Sequence, residues 1–370
     1  MVRTVARWVL LAVVTVAASV GLTLLGVPSA ALFAALVVGI VLALLSLAPT
    51  AVPRRAGLAA QAVLGVYIGT MVHDDSLAAL GPHWPIVVTV VVATLAISVL
   101  AGALMGLRRD VTPLTGALAL VAGGASGLVA IARELGGDDR VVAVVQYLRV
   151  GLVTATMPLI VLFIFHPDRS HPTQVTESAS APWYVSVGLI LAISVVGVVL
   201  GKLVRLPGAG LLGPMAITVV LEVTGQDLGL TVPSALVQVG YVLIGWQAGV
   251  AFTRESLKSV GRAMPLAVAL IAALTIATAG LGLLLSHVSG VTPLEGYLAT
   301  SPGGVYAVLA TAVETGSDVT FIVAAQVLRI LVMLFAAPWM ARGLVKLTER
   351  FGGQSREITE DKREPIAVAD

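Results

Sequence analysis

The chain contains no cysteine, which rules out disulfides, thiolate-held metals and iron–sulfur clusters together. Charge is scarce as well. Only 11% of the 370 residues are Asp, Glu, Lys or Arg, where a soluble domain carries about 25%, so water is not the main solvent of this chain. The five histidines are scattered and show no HxxxH spacing; solvated loop positions account for them better than a metal centre does. No GxxxxGK[ST] run occurs, so the chain brings no ATPase engine of its own. A basic element that could read nucleic acid is missing too, because the polar parts are short loops and a charged tail after Arg342.

Apolar residues make up 58% of the chain. They gather in twelve segments, each near the roughly 20 residues a helix needs to cross a hydrocarbon core. The first six are 8–25, 29–47, 57–72, 85–106, 113–134 and 140–164. The second six are 183–201, 207–222, 232–251, 263–286, 293–314 and 319–341. The N-terminus has the basic start and apolar run of a signal peptide. Its run from Trp8 to Leu25 is longer than a usual signal core, and a similar Trp-led run opens at Trp183. A retained first helix is therefore expected.

The sequence repeats itself at an offset of 180 residues. Residues 111–158 and 291–338 align without a gap, with 18 of 48 positions identical. The matches include types that hydrophobicity alone does not select: Pro113/Pro293, Gly123–Gly124/Gly303–Gly304, Glu134/Glu314, Asp138/Asp318, Gln146/Gln326 and Arg149/Arg329. Upstream, the same offset pairs Gly65 with Gly245 and Gly69 with Gly249. Matched loops carry opposite populations of Lys and Arg: His73-Asp74-Asp75 faces Thr253-Arg254-Glu255, with Lys258 and Arg262 added in the second copy, and Arg108-Arg109 faces Val288-Ser289. Basic loops stay cytoplasmic, so the two copies are expected to be inserted upside down relative to one another.

An inverted repeat needs an odd number of crossings per unit. One of the six segments must then enter and leave by the same face, and 113–134 and 293–314, interrupted by glycines, are the candidates. The expectation is an all-α polytopic membrane protein with two inverted-topology repeats, about ten transmembrane helices and two re-entrant or broken helical hairpins. Its parts are a first repeat (1–165), an external linker (166–182), a second repeat (183–345) and a cytoplasmic tail (346–370). Both termini are then cytoplasmic, in a cell inner membrane, and of the 22 Lys and Arg only Arg169 lies outside.

The glycine turns AGGASG (122–127) and SPGGVY (301–306) would form the hairpin tips. Such tips turn unpaired N–H groups and half-helix N-termini toward the midplane, where they attract anions. Gly123, Gly124, Ser126, Gly303, Gly304 and Tyr306 are therefore substrate-site candidates, with close helix packing as the plainer alternative. Gln146/Arg149 and Gln326/Arg329 are spaced i, i+3, which puts both side chains on one helix face. A charge well inside an apolar segment costs at least about 2.5–3.5 kcal/mol, so it needs a partner. Either the arginines hold an anionic substrate through their two-donor fork, or they pair with Glu134 and Glu314 and pin the hairpins. Those two glutamates are candidates for proton or ion coupling, or else face water at the hairpin mouths. Asp138 and Asp318 suit helix caps, and Pro158 and Pro338 suit kinks or ends.

The duplicated TPL-x-G…GG…E-x-G-x-D…Q-x-LR pattern resembles the AbrB-type membrane protein family, also labelled ammonia monooxygenase-like. The resemblance covers nearly the whole chain. Its labels imply a regulator of gene expression or a copper oxygenase, neither of which these residues support. The residues themselves fit a secondary transporter of a small organic anion, coupled to H⁺ or Na⁺, with the lipid bilayer as solvent and no cofactor, enzyme activity or nucleic-acid partner. A homodimer is possible. A membrane-embedded regulator or sensor, a passive channel and, last, a monooxygenase-type enzyme are the rival readings.

Overall fold

The structure, a computed structural model, describes residues 2–72, 84–106, 111–121, 128, 129, 131, 132, 136–165, 182–206, 208–226, 229–254, 258, 261–333, 336, 339, 340 and 343. Among these, all regular structure is helical. The first copy supplies α1 (Val2–Leu24), α2 (Ala30–Leu44), α3 (Arg54–Gly69), α4 (Trp84–Met105), α5 (Pro113–Leu120) and α6 (Asp139–Ile160). The second supplies α7 (Trp183–Leu203), α8 (Ala209–Val223), α9 (Ser234–Gly249), α10 (Met264–Ser289), α11 (Pro293–Thr300), α12 (Val305–Glu314) and α13 (Val319–Met333). The repeat is visible in the boundaries: α3 and α9, like α5 and α11, begin and end 180 residues apart. Residues 166–181 of the expected linker, Pro338 and the tail lie outside the described residues.

Five helices are long and apolar enough to cross a membrane: Thr4–Leu24, Trp84–Met105, Asp139–Phe165, Trp183–Leu203 and Gly261–Ser289. That departs from the expected ten. Helices α2 and α8 have 15 residues and α3 and α9 have 16, which is only about 22–24 Å at 1.5 Å per residue. The apolar segments 29–47 and 232–251 run past α2 and α9, and left-handed turns at Ser29 and Gly208 and prolines at 53 and 233 fix where each of the four helices starts. Helix α6 carries Pro158 within it and continues as a π-helical turn over Val161–Phe165.

The two copies interlock. Helix α2 of the first packs on α9 of the second, and α8 of the second packs on α3 of the first. Gly39 backs onto Gly249, and Gly245 onto the Leu32 carbonyl, so α2 and α9 run parallel with their backbones in contact. Gly65 against Leu211 and Gly69 against Thr218 repeat that contact between α3 and α8. These four positions are the glycine pairs seen in the repeat, and a Cβ at Gly245 would stand 2.5 Å from the Leu32 oxygen. Helices α3 and α9, equivalent members of the two copies, meet antiparallel: Gly57 lies against Gln247, and Leu64 against Gly240.

One pole of the bundle is basic. It gathers the ends of α2, α7 and α9 and the starts of α3 and α8, tied together by Arg254 Nε donating to the Leu44 carbonyl and by Gly201 against Ala209. Arg54, Arg55, Lys202, Arg205 and Arg254 sit there. The outer helices α1 and α7 expose Val9, Val13, Val16 and Val20, and Leu191, Val195, Val199 and Leu203. Apolar faces of that extent suit lipid rather than water.

The interrupted segment of the second copy is a hairpin. Helix α11 stops at Thr300, the chain is extended through Ser301 and Gly304, and α12 then leads back. At the mouth, Asp318 N–H donates to Glu295 Oε1 at 2.7 Å, which joins the exit of the hairpin to its entrance. The first copy makes the same closure with Asp138 N–H donating to Thr115 Oγ1 at 3.0 Å. Asp138 and Asp318 cap the helices that follow, as expected, by accepting from Val141 N–H and Phe321 N–H.

Candidate functional site

A helix that stops inside a bundle leaves its last carbonyls without partners. Here the Gln-x-x-Arg pairs fill that need. Gln326 Nε2 donates to the Leu298 carbonyl at 2.7 Å, and Arg329 Nη1 donates to that of Ser301. In the first copy, Gln146 Nε2 donates to the Leu118 and Val121 carbonyls, each at 2.8 Å, and Arg149 Nη1 to that of Leu120 at 3.1 Å. Neither expected partner of the arginines is the one found in this contact. Their charge rests on the negative ends of the half-helices α5 and α11, with about 1.5–3 kcal/mol for each charge-assisted bond.

Glu314 does something else. It accepts from Ser29 N–H at the start of α2, beside Tyr67 and Tyr241 at the pole opposite the basic one. A carboxylate there complements the positive end of α2 and supports Ser29 in its left-handed conformation, φ 52°. Glu134 lies outside the described residues, as do Gly123, Gly124 and Ser126.

The arginines converge. They lie in electrostatic range of one another and are 3% and 4% exposed. Because Nη1 is the capping atom, the edge formed by Nε and Nη2 is left over, and Nε of both arginines has no hydrogen-bond partner among the described residues. Oε1 of both glutamines is likewise unpartnered and buried.

Beside them is a cavity of about 320 Å³. Of the expected site residues it collects Gln146, Arg149, Gly303, Gly304, Tyr306 and Arg329. Gln326 stands behind the wall, holding α11. The N-terminus of α12 opens on the cavity, with no side chain capping Gly304, whose N–H reaches Thr154 Oγ1 at 3.4 Å. Both tip glycines press on α6, Gly303 toward Val153 and Gly304 toward Val150. Leu32, Leu36, Leu211, Leu212 and Ile244 make the remaining walls apolar.

Gln61, Tyr147, Thr154 and Gln247 also line the cavity, and repeat matching passed over them. Gln61 and Gln247 correspond to Tyr241 and Tyr67, so neither belongs to an identical pair. The available signal was a polar side chain inside an apolar helix, which is rare enough to mark a pathway. Tyr147, Gly208 and Gln247 are exposed at the rim, on the basic side.

The AbrB family, described as "Transition state regulatory protein AbrB", matches residues 31–345. The chain belongs to the AbrB family. Among its curated relatives, the Escherichia coli (strain K12) protein named "Putative regulator AbrB" is 33% identical over 342 residues, covering 91% of this chain and 96% of that protein. "Uncharacterized protein YhjN" of Bacillus subtilis (strain 168) is 26% identical over 295 residues, 75% of this chain and 76% of that one. No solved structure matches this AbrB-family chain.

Proposed function

We propose that this AbrB-family protein is a secondary carrier of a small organic anion, coupled to H⁺ or Na⁺ and working by alternating access between two inverted repeats. The observation that carries the reading is the cavity itself. It draws one buried arginine from each copy, opens beside the N-terminus of a broken helix, and has its exposed rim at the basic pole. The antiparallel contact of α3 with α9 supports inversion, because equivalent elements that meet antiparallel are related by an axis perpendicular to them. The short inner helices cross with turns or other non-helical backbone at their ends and other helices around them, where irregular backbone is tolerated. With Lys and Arg on the cytoplasmic side, the basic pole is inside, both termini are cytoplasmic, and the cavity faces inward.

The test joins topology to flux. Cysteines placed at Ser170 and Ser289 should react with an impermeant reagent from outside, and one at Ser259 should not. In proteoliposomes, a labelled organic acid should exchange with unlabelled acid inside. External reaction at 259 would end the inverted arrangement, and absence of exchange for every acid tried would end the carrier reading. A second reading, a membrane-embedded regulator, rests on the relatives' names; deletion altering transcription while every flux is unchanged would favour it.

A further inference from the structure

We infer that the cavity selects a monoanion with an apolar body, such as an aromatic or branched aliphatic monocarboxylate, over di- and tricarboxylates and inorganic oxyanions. The inference rests on the carrier reading and narrows it to a substrate class.

Charge sets the number of negative groups. Arg149 and Arg329 bring two positive charges. Each caps a half-helix C-terminus, which carries about half a negative charge. The pair is therefore left with a net charge of about +1, and the N-terminus of α12 adds about another half. A single carboxylate balances that, whereas a second would be buried with little to compensate it. Among the described residues, no further Lys, Arg or His lines the cavity.

Geometry sets the head group. The unpartnered Nε of each guanidinium belongs to the side edge that, with Nη2, makes the planar two-donor fork for a carboxylate. Both guanidiniums line the cavity beside the N-terminus of α12, so a carboxylate there meets their positive charge at once and gains the free edge of a fork when the atoms that bury Nε yield. The apolar walls set the rest. Leu32, Leu36, Leu211, Leu212 and Ile244 offer a hydrophobic body somewhere to go, and the polar side chains that share the wall, Gln61, Tyr147, Thr154 and Gln247, bring no positive charge to balance a second carboxylate.

The experiment measures binding of phenylacetate, succinate, citrate and inorganic phosphate to the purified full-length protein by calorimetry, at one pH and ionic strength. Phenylacetate should bind at least about tenfold tighter than each of the others, a difference of about 1.4 kcal/mol. Arg329→Lys should weaken it about tenfold, because an ammonium lacks the fork. Equal or tighter binding of succinate, citrate or phosphate would overturn the monoanion assignment and leave the carrier reading standing. If no anion binds and none is exchanged in proteoliposomes, both fail. If phenylacetate binds but Arg329→Lys binds it equally well, the head group lies elsewhere and this site is refuted.

Discussion

At the basic pole, Gln61, Gln247 and Gly208 leave a cavity open; 180 residues away in the repeat, Tyr241, Tyr67 and Pro28 stand in their places and Pro28 and Tyr241 are buried. The paired helices of the two regions match, and Gly65 with Gly245 and Gly69 with Gly249 make the same backbone approach in each. They differ in side chains and in the polar contacts that tie each end, Ser29 N–H to Glu314 at the closed end and Arg254 to the Leu44 carbonyl at the basic one. The comparison teaches that a duplicated scaffold can place the same two arginines at its centre from both sides and still admit solvent from one side only. In an alternating-access carrier, the closed end is then the second gate.

The largest effect on this comparison is expected from the hairpin tip. A Cβ at Gly304 would stand 3.3 Å from Val150 Cγ1 and 3.5 Å from Thr154 Oγ1, and leucine adds three further carbons. Overpacking of this kind costs about 1–3 kcal/mol, so Gly304→Leu should insert normally yet lose about ten- to a hundredfold in anion affinity. Unchanged affinity, measured by calorimetry on the purified variant, would reduce the tip to a packing element.

A smaller effect should sharpen the contrast between the gates. Glu314→Gln keeps the shape and removes the charge that faces the start of α2, worth about 0.3–1 kcal/mol. With Ser29→Cys as the only thiol, since the native chain has none, external labelling should quicken about two- to fivefold when Glu314→Gln is added. Equal rates in both backgrounds would separate Glu314 from the closure.

The smallest change is Tyr241→Phe. The Tyr241 hydroxyl is buried without a partner among the described residues, so its loss leaves no other group unsatisfied. The melting temperature should stay within about 2 °C or rise, following the size scaling for a shift well under 1 kcal/mol. A fall of more than about 5 °C would mean that the hydroxyl has a partner in solution.

Much of this architecture was legible beforehand, for reasons that hold locally. The breaks after Leu120 and Thr300 and the caps at Asp138 and Asp318 follow from glycine and aspartate acting on their own neighbourhoods, and Pro158 lies within α6, just before its π-helical turn. The role of the Gln-x-x-Arg pairs was half legible. Their cost in an apolar segment demanded a partner, but the chosen partners are main-chain carbonyls, which carry no letter in the sequence. Segments 29–47 and 232–251 overran α2 and α9 by four residues each because hydropathy counts residues in apolar surroundings, whether or not the chain there is helical, while 57–72 and 207–222 came close to the lengths of α3 and α8. Gln61 and Gln247 were missed because a search for likeness between copies discards positions where the copies differ, and this cavity depends on such positions.

The exchange of α2 and α8 between the halves bears on how the protein is made. The glycine-lined face of α2 has its mate in α9, which ends at Gly249, and until that stretch leaves the ribosome the face has nothing to close against. Roughly 200 residues separate the end of α2 from the end of α9, and at 5–20 residues per second their synthesis takes roughly 10–40 s. During that interval α2 lacks the helix it packs on in the finished protein. The halves are therefore one folding unit despite their shared ancestry, and assembly is completed late, when the second half arrives.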